Sequence, residues 1–273
     1  MKTGIIIPCY NEEKRLNTAA FSHFINQENE YHVCFVNDGS KDNTIQVLKQ
    51  LQKVNPHKVS VIDIKKNAGK AAAVSAGARY LYNRGDIQYI GFIDADLSTD
   101  FKDFGDLVQT LKMNRSLSFV FGSRAKDVST TIEKNIIRAF ISKVINILIV
   151  TILGLSIKDT QCGAKVFNSN LVPVLFDNNF ISKWLFDVEM FIKMKEYFGK
   201  KEIMNKIHEQ PLKKWIHMDD SKLGIKDSLE IPYRLISIWL NYTILQPKTN
   251  SYTEFSLEHT AKIYETPMVT IAA

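Results

Sequence analysis

The sequence predicts an α/β fold in which a doubly wound, mostly parallel sheet carries helices on both faces. Apolar runs typical of buried strands alternate with helical segments through the first half of the chain. Polar motifs directly follow three of those runs, at 8–10, 37–40 and 94–96. Because the carboxyl ends of parallel strands share one edge of a sheet, we expect these motifs to converge on one cleft.

The elements follow from the pattern in order. Strands are expected at 3–7, 31–36, 59–64, 89–93 and 117–121. The first helix should begin at Asn11 as its N-cap, with Glu12 and Glu13 at its positive end. Further helices are expected at 42–54, 69–82 and 101–113.

The second half changes character. Residues 131–155 and 230–245 favour helices, the latter beginning after Pro232, and 186–197 form an amphipathic helical segment. Residues 203–207 favour a strand, whereas 246–273 show no clear periodicity and are expected to form a C-terminal tail. A chain of 273 residues can bury one substantial core, so we expect one domain over 1–245.

Composition narrows the class of protein. A net charge of +6 suits anionic ligands or phospholipid surfaces, and we expect no nucleic-acid partner. Three scattered cysteines indicate reduced thiols in a cytoplasmic protein. We see neither a signal peptide nor a clear transmembrane segment, since the apolar stretch 139–155 is short and interrupted. We therefore expect a cytoplasmic protein, with peripheral attachment to the inner membrane face as an option.

Asp94 and Asp96 close the apolar run 89–93. Two carboxylates at the end of a buried strand require a counter-charge, which a divalent metal carrying a diphosphate supplies. The alternative is an exposed turn at the end of the strand. The glycine loop of a nicotinamide-binding domain does not follow the first strand, which argues against an oxidoreductase of that kind.

Seven segments in order resemble the signature of family 2 glycosyltransferases, which are inverting, metal-dependent enzymes with the GT-A fold of nucleotide-diphospho-sugar transferases. They span about residues 3 to 230. The first four are Ile-Pro-Cys-Tyr-Asn-Glu-Glu (7–13), Val-Asn-Asp-Gly-Ser (36–40), Asn-Ala-Gly-Lys (67–70) and Asp-Ala-Asp (94–96). Phe-Gly-Ser-Arg (121–124), Asp-Thr-Gln-Cys-Gly (159–163) and Trp-Leu-Phe-Asp-Val-Glu (184–189) resemble the dolichyl-phosphate glucosyltransferase and mannosyltransferase branch.

The resemblance implies a nucleotide-binding half (1–125) and an acceptor-binding half (126–245). Asp94 and Asp96 would hold Mg²⁺ or Mn²⁺, and catalytic roles fall to Asp96, Asp159 and Gln161. The nucleotide-binding residues would be Pro8, Tyr10, Glu12, Asp38, Lys70, Asp94 and Arg124. The acceptor-binding residues would be Arg138, Ser142, Trp184, Asp187 and Glu189.

Blander roles stay open for several of these residues. Glu12 suits the first turn of a helix, Asp38 suits a turn, and Lys70 suits a solvated surface. Arg138 fits an exposed charge on an amphipathic helix, and Trp184 fits the core. Asp159 is either a base or a positioner, because a phosphate acceptor needs no deprotonation whereas a hydroxyl acceptor does.

The implied function is transfer of a hexose, with UDP-glucose the favoured donor, to a polyprenyl phosphate at a membrane surface. The alternatives are a soluble family 2 enzyme acting on a glycan or small-molecule hydroxyl, and a non-catalytic nucleotide-sugar-binding protein. The sequence leaves the oligomeric state open.

Overall fold

Eight strands form one sheet in the order β7-β5-β6-β4-β1-β2-β3-β8 within the part of the chain that the structure describes. This computed structural model describes residues 2–124, 145, 147–214, 225–245 and 261–264. The strands are β1 (Lys2–Cys9), β2 (Tyr31–Asp38), β3 (Val59–Ile64), β4 (Ile87–Phe92), β5 (Phe119–Ser123), β6 (Lys165–Asn168), β7 (Ile207–Pro211) and β8 (Ala261–Tyr264).

Helices cover both faces of this sheet. They are α1 (Thr18–Gln27), α2 (Thr44–Val54), α3 (Lys70–Asn83), α4 (Phe101–Met113), α5 (147–153), α6 (Val172–Leu175), α7 (Phe186–Phe198), α8 (Ile203–Lys206) and α9 (Ile225–Leu240), which continues into a π-helical turn, Asn241–Leu245. Along β2, Cys34 and Val36 pack against one helical layer, whereas Val33 and Phe35 pack against the other. This alternation on a strand buried on both faces confirms the doubly wound α/β architecture.

The centre of the sheet is parallel, as expected: β4, β1, β2 and β3 are neighbours that run in the same direction. Two antiparallel strands were not expected. β6 lies between β4 and β5 and is antiparallel to both. β8 belongs to the segment 246–273, which we expected to be a tail, and it pairs with β3.

The expected start of the first helix at Asn11 is wrong. Asn11 has a left-handed backbone (φ 50°), and α1 begins only after Asn17, whose side chain accepts a hydrogen bond from the Ala20 N–H at 3.0 Å. Residues 11–13 instead hydrogen-bond to the loop before α2, for example through Asn11 N–H and Ser40 Oγ at 2.9 Å. Tertiary contacts with a neighbouring loop therefore override the helix signal of Glu12 and Glu13.

Two further boundaries differ from expectation. Residues 203–206 form a helical turn, and the strand that we expected there begins at Ile207. Ile203 and Ile207 are buried while Met204 and Asn205 are exposed, a spacing of four that suits a helical turn. Helix α9 begins at Ile225, before the start that we expected after Pro232, and Pro232 lies inside the helix. Among the described residues, no helix is long and apolar enough to cross a membrane.

Candidate active site

Three loops meet at one edge of the sheet, as the sequence predicts. In the parallel register Cys9 lies beside Asn37, and Ile6 lies beside Phe92. The loops after β1, β2 and β4 therefore leave the sheet side by side. They carry Tyr10 and Glu12, Asp38, and the aspartates of Asp94-Ala95-Asp96.

Each of the two aspartates is paired with a cation from another loop. Lys70 Nζ lies 2.5 Å from Asp94 Oδ1, and Arg15 Nη2 lies 3.5 Å from Asp96 Oδ2. The aspartates are half-buried. Burial disfavours the charged lysine, but the nearby carboxylates together outweigh it, Asp94 most and then Asp187, and raise the pKa of Lys70. The counter-charge that the sequence argument required is thus supplied by the chain itself.

Local backbone geometry aims these carboxylates into the cleft. Leu97 adopts a left-handed conformation (φ 54°), and the Ser98 N–H donates a hydrogen bond to Asp96 Oδ1 at 3.0 Å. Gly163 lies against Asp94, since a Cβ built there would be 2.1 Å from Asp94 Oδ2. A glycine at position 163 therefore leaves room for the Asp94 carboxylate.

Asp38 organises the loop that begins α3. Its Oδ1 accepts the Ala68 N–H at 2.8 Å, and its Oδ2 accepts the Gly69 N–H at 2.8 Å and Asn67 Nδ2 at 2.9 Å. Gly69 itself needs a left-handed backbone (φ 97°). These contacts fix Lys70 at the start of α3, so Asp38 positions a site residue whatever else it contacts.

The loop after β1 is held by the loop after β2. Glu12 N–H donates to Thr44 Oγ1 at 2.8 Å, and Lys41 N–H donates to Asn11 Oδ1 at 2.8 Å. Arg15 Nε lies 3.7 Å from Glu12 Oε2, so the carboxylate of the buried Glu12 shares Arg15 with Asp96. Tyr10 and Pro8 are half-buried beside this pair of loops.

Arg124 and Asp159 form a bidentate ion pair, with Nε–Oδ2 at 2.7 Å and Nη2–Oδ1 at 2.8 Å. Asp159 also accepts the backbone N–H of Arg124 and, at 3.1 Å, that of Gln161. Burial acts to raise the pKa of Asp159, but the hydrogen bonds and charge of Arg124 outweigh it and lower the pKa. A carboxylate with four donors is a better positioner than a base.

Glu209 on β7 holds the backbone on which Asp159 of this pair lies. Its two carboxylate oxygens accept the consecutive N–H groups of Lys158 and Asp159, at 2.9 and 2.8 Å. A single side chain therefore fixes the backbone from which Asp159 projects.

The residues predicted to bind the acceptor lie in different environments. Asp187 is buried and pairs with the fully buried Lys165, whose Nζ lies 2.7 Å from Asp187 Oδ1. Glu189 is also fully buried and accepts hydrogen bonds from the Ile181 and Ser182 N–H groups and from the Tyr242 hydroxyl. Trp184 is 40% exposed, which contradicts the alternative that it belongs to the core. Arg138 and Ser142 lie outside the described residues.

Sequence reasoning missed Arg15, Lys165 and Glu209. Arg15 lies within the segment expected to be helix, where an arginine needs no special role. Lys165 lies on β6, which is antiparallel to β5. Glu209 lies on β7, an edge strand that comes late in the chain. A lysine inside the apolar run 164–167 was the one available signal, since lysines are rarely fully buried without a partner.

The donor set fits a divalent metal that is shared with a ligand. No cluster of three or more histidine, cysteine or acidic side chains within the described ranges could hold a metal alone. Asp94 and Asp96 offer two hard carboxylate ligands, and Mg²⁺ is commonly held by one or two carboxylates together with substrate phosphates. The room that Gly163 leaves beside Asp94 keeps that carboxylate available.

The fold and this arrangement of loops are those of the GT-A class of proteins, and comparison with known proteins agrees. The model of the family "Glycosyl transferase family 2" matches residues 4–176. The chain belongs to this family and is a glycosyltransferase.

Three dolichyl-phosphate beta-glucosyltransferases are similar over most of the chain. One from Trichomonas vaginalis is 32% identical, and the match covers 86% of this chain and 70% of the relative's length. That of Dictyostelium discoideum is 31% identical, with 86% and 76% covered. That of Saccharomyces cerevisiae is 32% identical, with 88% and 75% covered.

Among solved structures, the fold is similar to glucosyl-3-phosphoglycerate synthase from Mycobacterium tuberculosis. The TM-score is 0.65 at 14% identity, with 98% of this chain and 88% of that chain covered. That enzyme was crystallised with Mn²⁺, UDP-glucose and phosphoglyceric acid. At this identity the likeness establishes the GT-A fold alone.

Proposed function

We propose that the protein transfers a hexose from a nucleoside-diphosphate sugar, with UDP-glucose as donor, to a polyprenyl phosphate, with inversion at the anomeric carbon. The observation that carries the proposal is the pair Asp94 and Asp96, which lies at the carboxyl edge of the parallel strands beside Lys70 and Arg15. The relatives named for dolichyl phosphate and glucose support this choice of acceptor and sugar.

The position of each site residue in the cleft suggests which part of the donor it would bind. Asp94 and Asp96 would hold Mg²⁺ or Mn²⁺, which supplies positive charge to the departing diphosphate. Lys70, at the N-terminus of α3, would contact the same diphosphate. Tyr10, Pro8, Glu12 and Asp38 would form the nucleoside end of the cleft, within the half 1–125.

The acceptor phosphate would attack the anomeric carbon while the bond from that carbon to the diphosphate oxygen breaks. The phosphate is already ionised near neutral pH, so this step needs no proton acceptor. The ion pair of Asp159 with Arg124, which lowers the pKa of Asp159, fits a role in orienting Arg124 toward phosphate. Gln161 would lie at the sugar end of the cleft, with Trp184, Asp187 and Glu189 in the acceptor half, 126–245.

A membrane surface would present the acceptor. Helix α9 buries Leu235 and Ile238 in the core but exposes Tyr233, Ile236 and Trp239 on its other side. Such an apolar and aromatic face suits a helix that lies at a membrane interface. We therefore propose peripheral attachment to a membrane surface, on its cytoplasmic side.

A transfer assay tests the proposed function. The purified protein is incubated with radiolabelled UDP-glucose or GDP-mannose and dolichyl phosphate, with Mn²⁺ or with EDTA, and label in the organic phase is counted. We expect transfer from UDP-glucose that EDTA and Asp96→Asn abolish. Asp86→Asn, at the opposite end of β4, is the matched control and should transfer normally. Label passing only to water-soluble acceptors would replace the lipid with a soluble hydroxyl acceptor.

A further inference from the structure

The two aspartates of the cleft are held by two cations that come from separate loops. Lys70 is the first residue of α3, directly after the loop that follows β3, and Arg15 lies in the loop after β1; each makes an ion pair with one aspartate only among the described contacts. Lys70 is 20% exposed and Arg15 is 24% exposed at the side chain, so both can leave these contacts for another partner in the cleft.

A metal ion that takes these carboxylates must displace both cations. A divalent ion beside a lysine and an arginine meets two like charges at short range, which opposes its binding. Removal of the aspartates in turn takes the paired carboxylate from the partly buried Lys70 and leaves Arg15 with Glu12 alone, at 3.7 Å, which is unfavourable unless another anion replaces the aspartates.

A diphosphate can both pair with the two displaced cations and reduce their repulsion of the metal. Its oxygens accept charge-assisted hydrogen bonds from lysine and arginine, and also complete the coordination of a metal held by two carboxylates. Resting on the proposed function, we propose that Lys70 and Arg15 exchange Asp94 and Asp96 for the diphosphate oxygens when the donor binds. Arg15 thereby becomes a donor-binding residue, and the metal and the nucleoside diphosphate each tighten the other's binding.

The inference is tested by titrating Mn²⁺ into the full-length protein, with and without saturating UDP, and measuring free Mn²⁺ by electron paramagnetic resonance. For the unaltered protein we expect UDP to tighten Mn²⁺ binding by about tenfold or more. Lys70→Met and Arg15→Met should each tighten the binding of Mn²⁺ alone and should reduce the effect of UDP. GDP is run in parallel, because it carries the same diphosphate.

Two exposed lysines provide matched controls. Lys66→Met and Lys14→Met remove the same charge close by, and neither side chain is among the ion pairs of the aspartates. They should leave Mn²⁺ binding within about twofold of the unaltered protein, a change that general electrostatics allows.

Three results would overturn the exchange, and they are distinguishable. If UDP does not change the affinity for Mn²⁺, and Lys70→Met does not raise it, then the exchange is wrong while the metal site stands. If no protein binds Mn²⁺ with either nucleotide, then the metal site itself fails, and the proposed function fails with it. Equal effects of Lys66→Met and Lys70→Met on Mn²⁺ affinity would also overturn the exchange, because the change in affinity would then follow from the loss of net charge alone.

Discussion

At the scale of single residues, the close approach of Gly163 to Asp94 tests whether Asp94 is a metal ligand. A methyl group at position 163 would lie 2.1 Å from Asp94 Oδ2, so the carboxylate must move away. We expect Gly163→Ala to lower metal-dependent UDP affinity at least about tenfold, in line with the loss of a charge-assisted contact. Isothermal titration calorimetry with UDP and Mn²⁺ measures this effect.

Gly105→Ala is the control for that prediction. A Cβ at position 105 meets only Tyr31 Oη, at 3.8 Å, and alanine favours the helix α4 in which it lies. This variant should bind UDP normally and be at least as stable as the unaltered protein. Normal metal-dependent binding by Gly163→Ala would show that Asp94 is not a ligand.

His32 makes a prediction about acid stability. Burial, together with the charge of Arg84, lowers the pKa of His32 from 6.5 to about 4. The unfolded chain therefore binds the proton first, and the contribution of neutral His32 to stability is complete above pH 6.5. It is lost as the pH falls from 6.5 toward 4, by about 3 kcal/mol at most.

Urea unfolding at several pH values measures that loss. His32→Gln, which can keep a hydrogen bond to Ser60 Oγ, should flatten the dependence of unfolding free energy on pH between 4 and 6.5. His208→Gln removes an exposed histidine and should leave the dependence as it was. An unchanged slope in His32→Gln would mean that other groups cause the acid instability.

At the scale of elements, Glu189 joins α7 to the end of α9. Its carboxylate accepts the Ile181 and Ser182 N–H groups at 3.0 and 2.8 Å and the Tyr242 hydroxyl at 3.0 Å. Glu189→Ala leaves these donors without their acceptor, and should lower the free energy of unfolding by about 3 kcal/mol. Tyr242→Phe removes one donor and should cost about 1 kcal/mol.

Chemical denaturation compares the two variants directly. Glu189→Ala that is no less stable than Tyr242→Phe would contradict the role of Glu189 as the shared acceptor. A loss of transfer by Tyr242→Phe at unchanged stability would instead indicate that the carboxylate acts on the acceptor.

The elements also show what the sequence can predict. The parallel strands and the convergence of their polar loops follow from apolar runs and turn residues, because burial on both faces leaves a clear local pattern. β6 is four residues long and β8 lies in a segment without periodicity, so both depend on pairing with distant strands. The partners of site residues are equally non-local: nothing near Asp159 in the sequence points to Glu209.

At the scale of the whole molecule, the exposed face of α9 predicts reversible membrane binding. The net charge of +6 should add attraction to anionic lipid, and added salt should weaken it. We expect the protein to float with phosphatidylserine-containing liposomes at low salt. The double variant Tyr233→Ser, Trp239→Ser should reduce the bound fraction, with a partition coefficient roughly tenfold lower.

Met113 supplies the control, since it is 82% exposed at the end of α4, in the opposite helical layer. Met113→Ser should leave flotation unchanged. If the unaltered protein stays in the soluble fraction at every salt concentration, the membrane surface is wrong and a soluble acceptor becomes the better proposal.

The buried pair of Lys165 and Asp187 constrains how this sequence can diverge. Removal of either partner leaves an isolated charge inside the protein, which typically costs about 3–5 kcal/mol, whereas well-packed apolar residues at both positions are often tolerated. A single substitution at either position is therefore expected to destabilise the protein more than the paired replacement. Descendants of this chain should keep both residues or have lost both, and the two positions should be inherited as a unit.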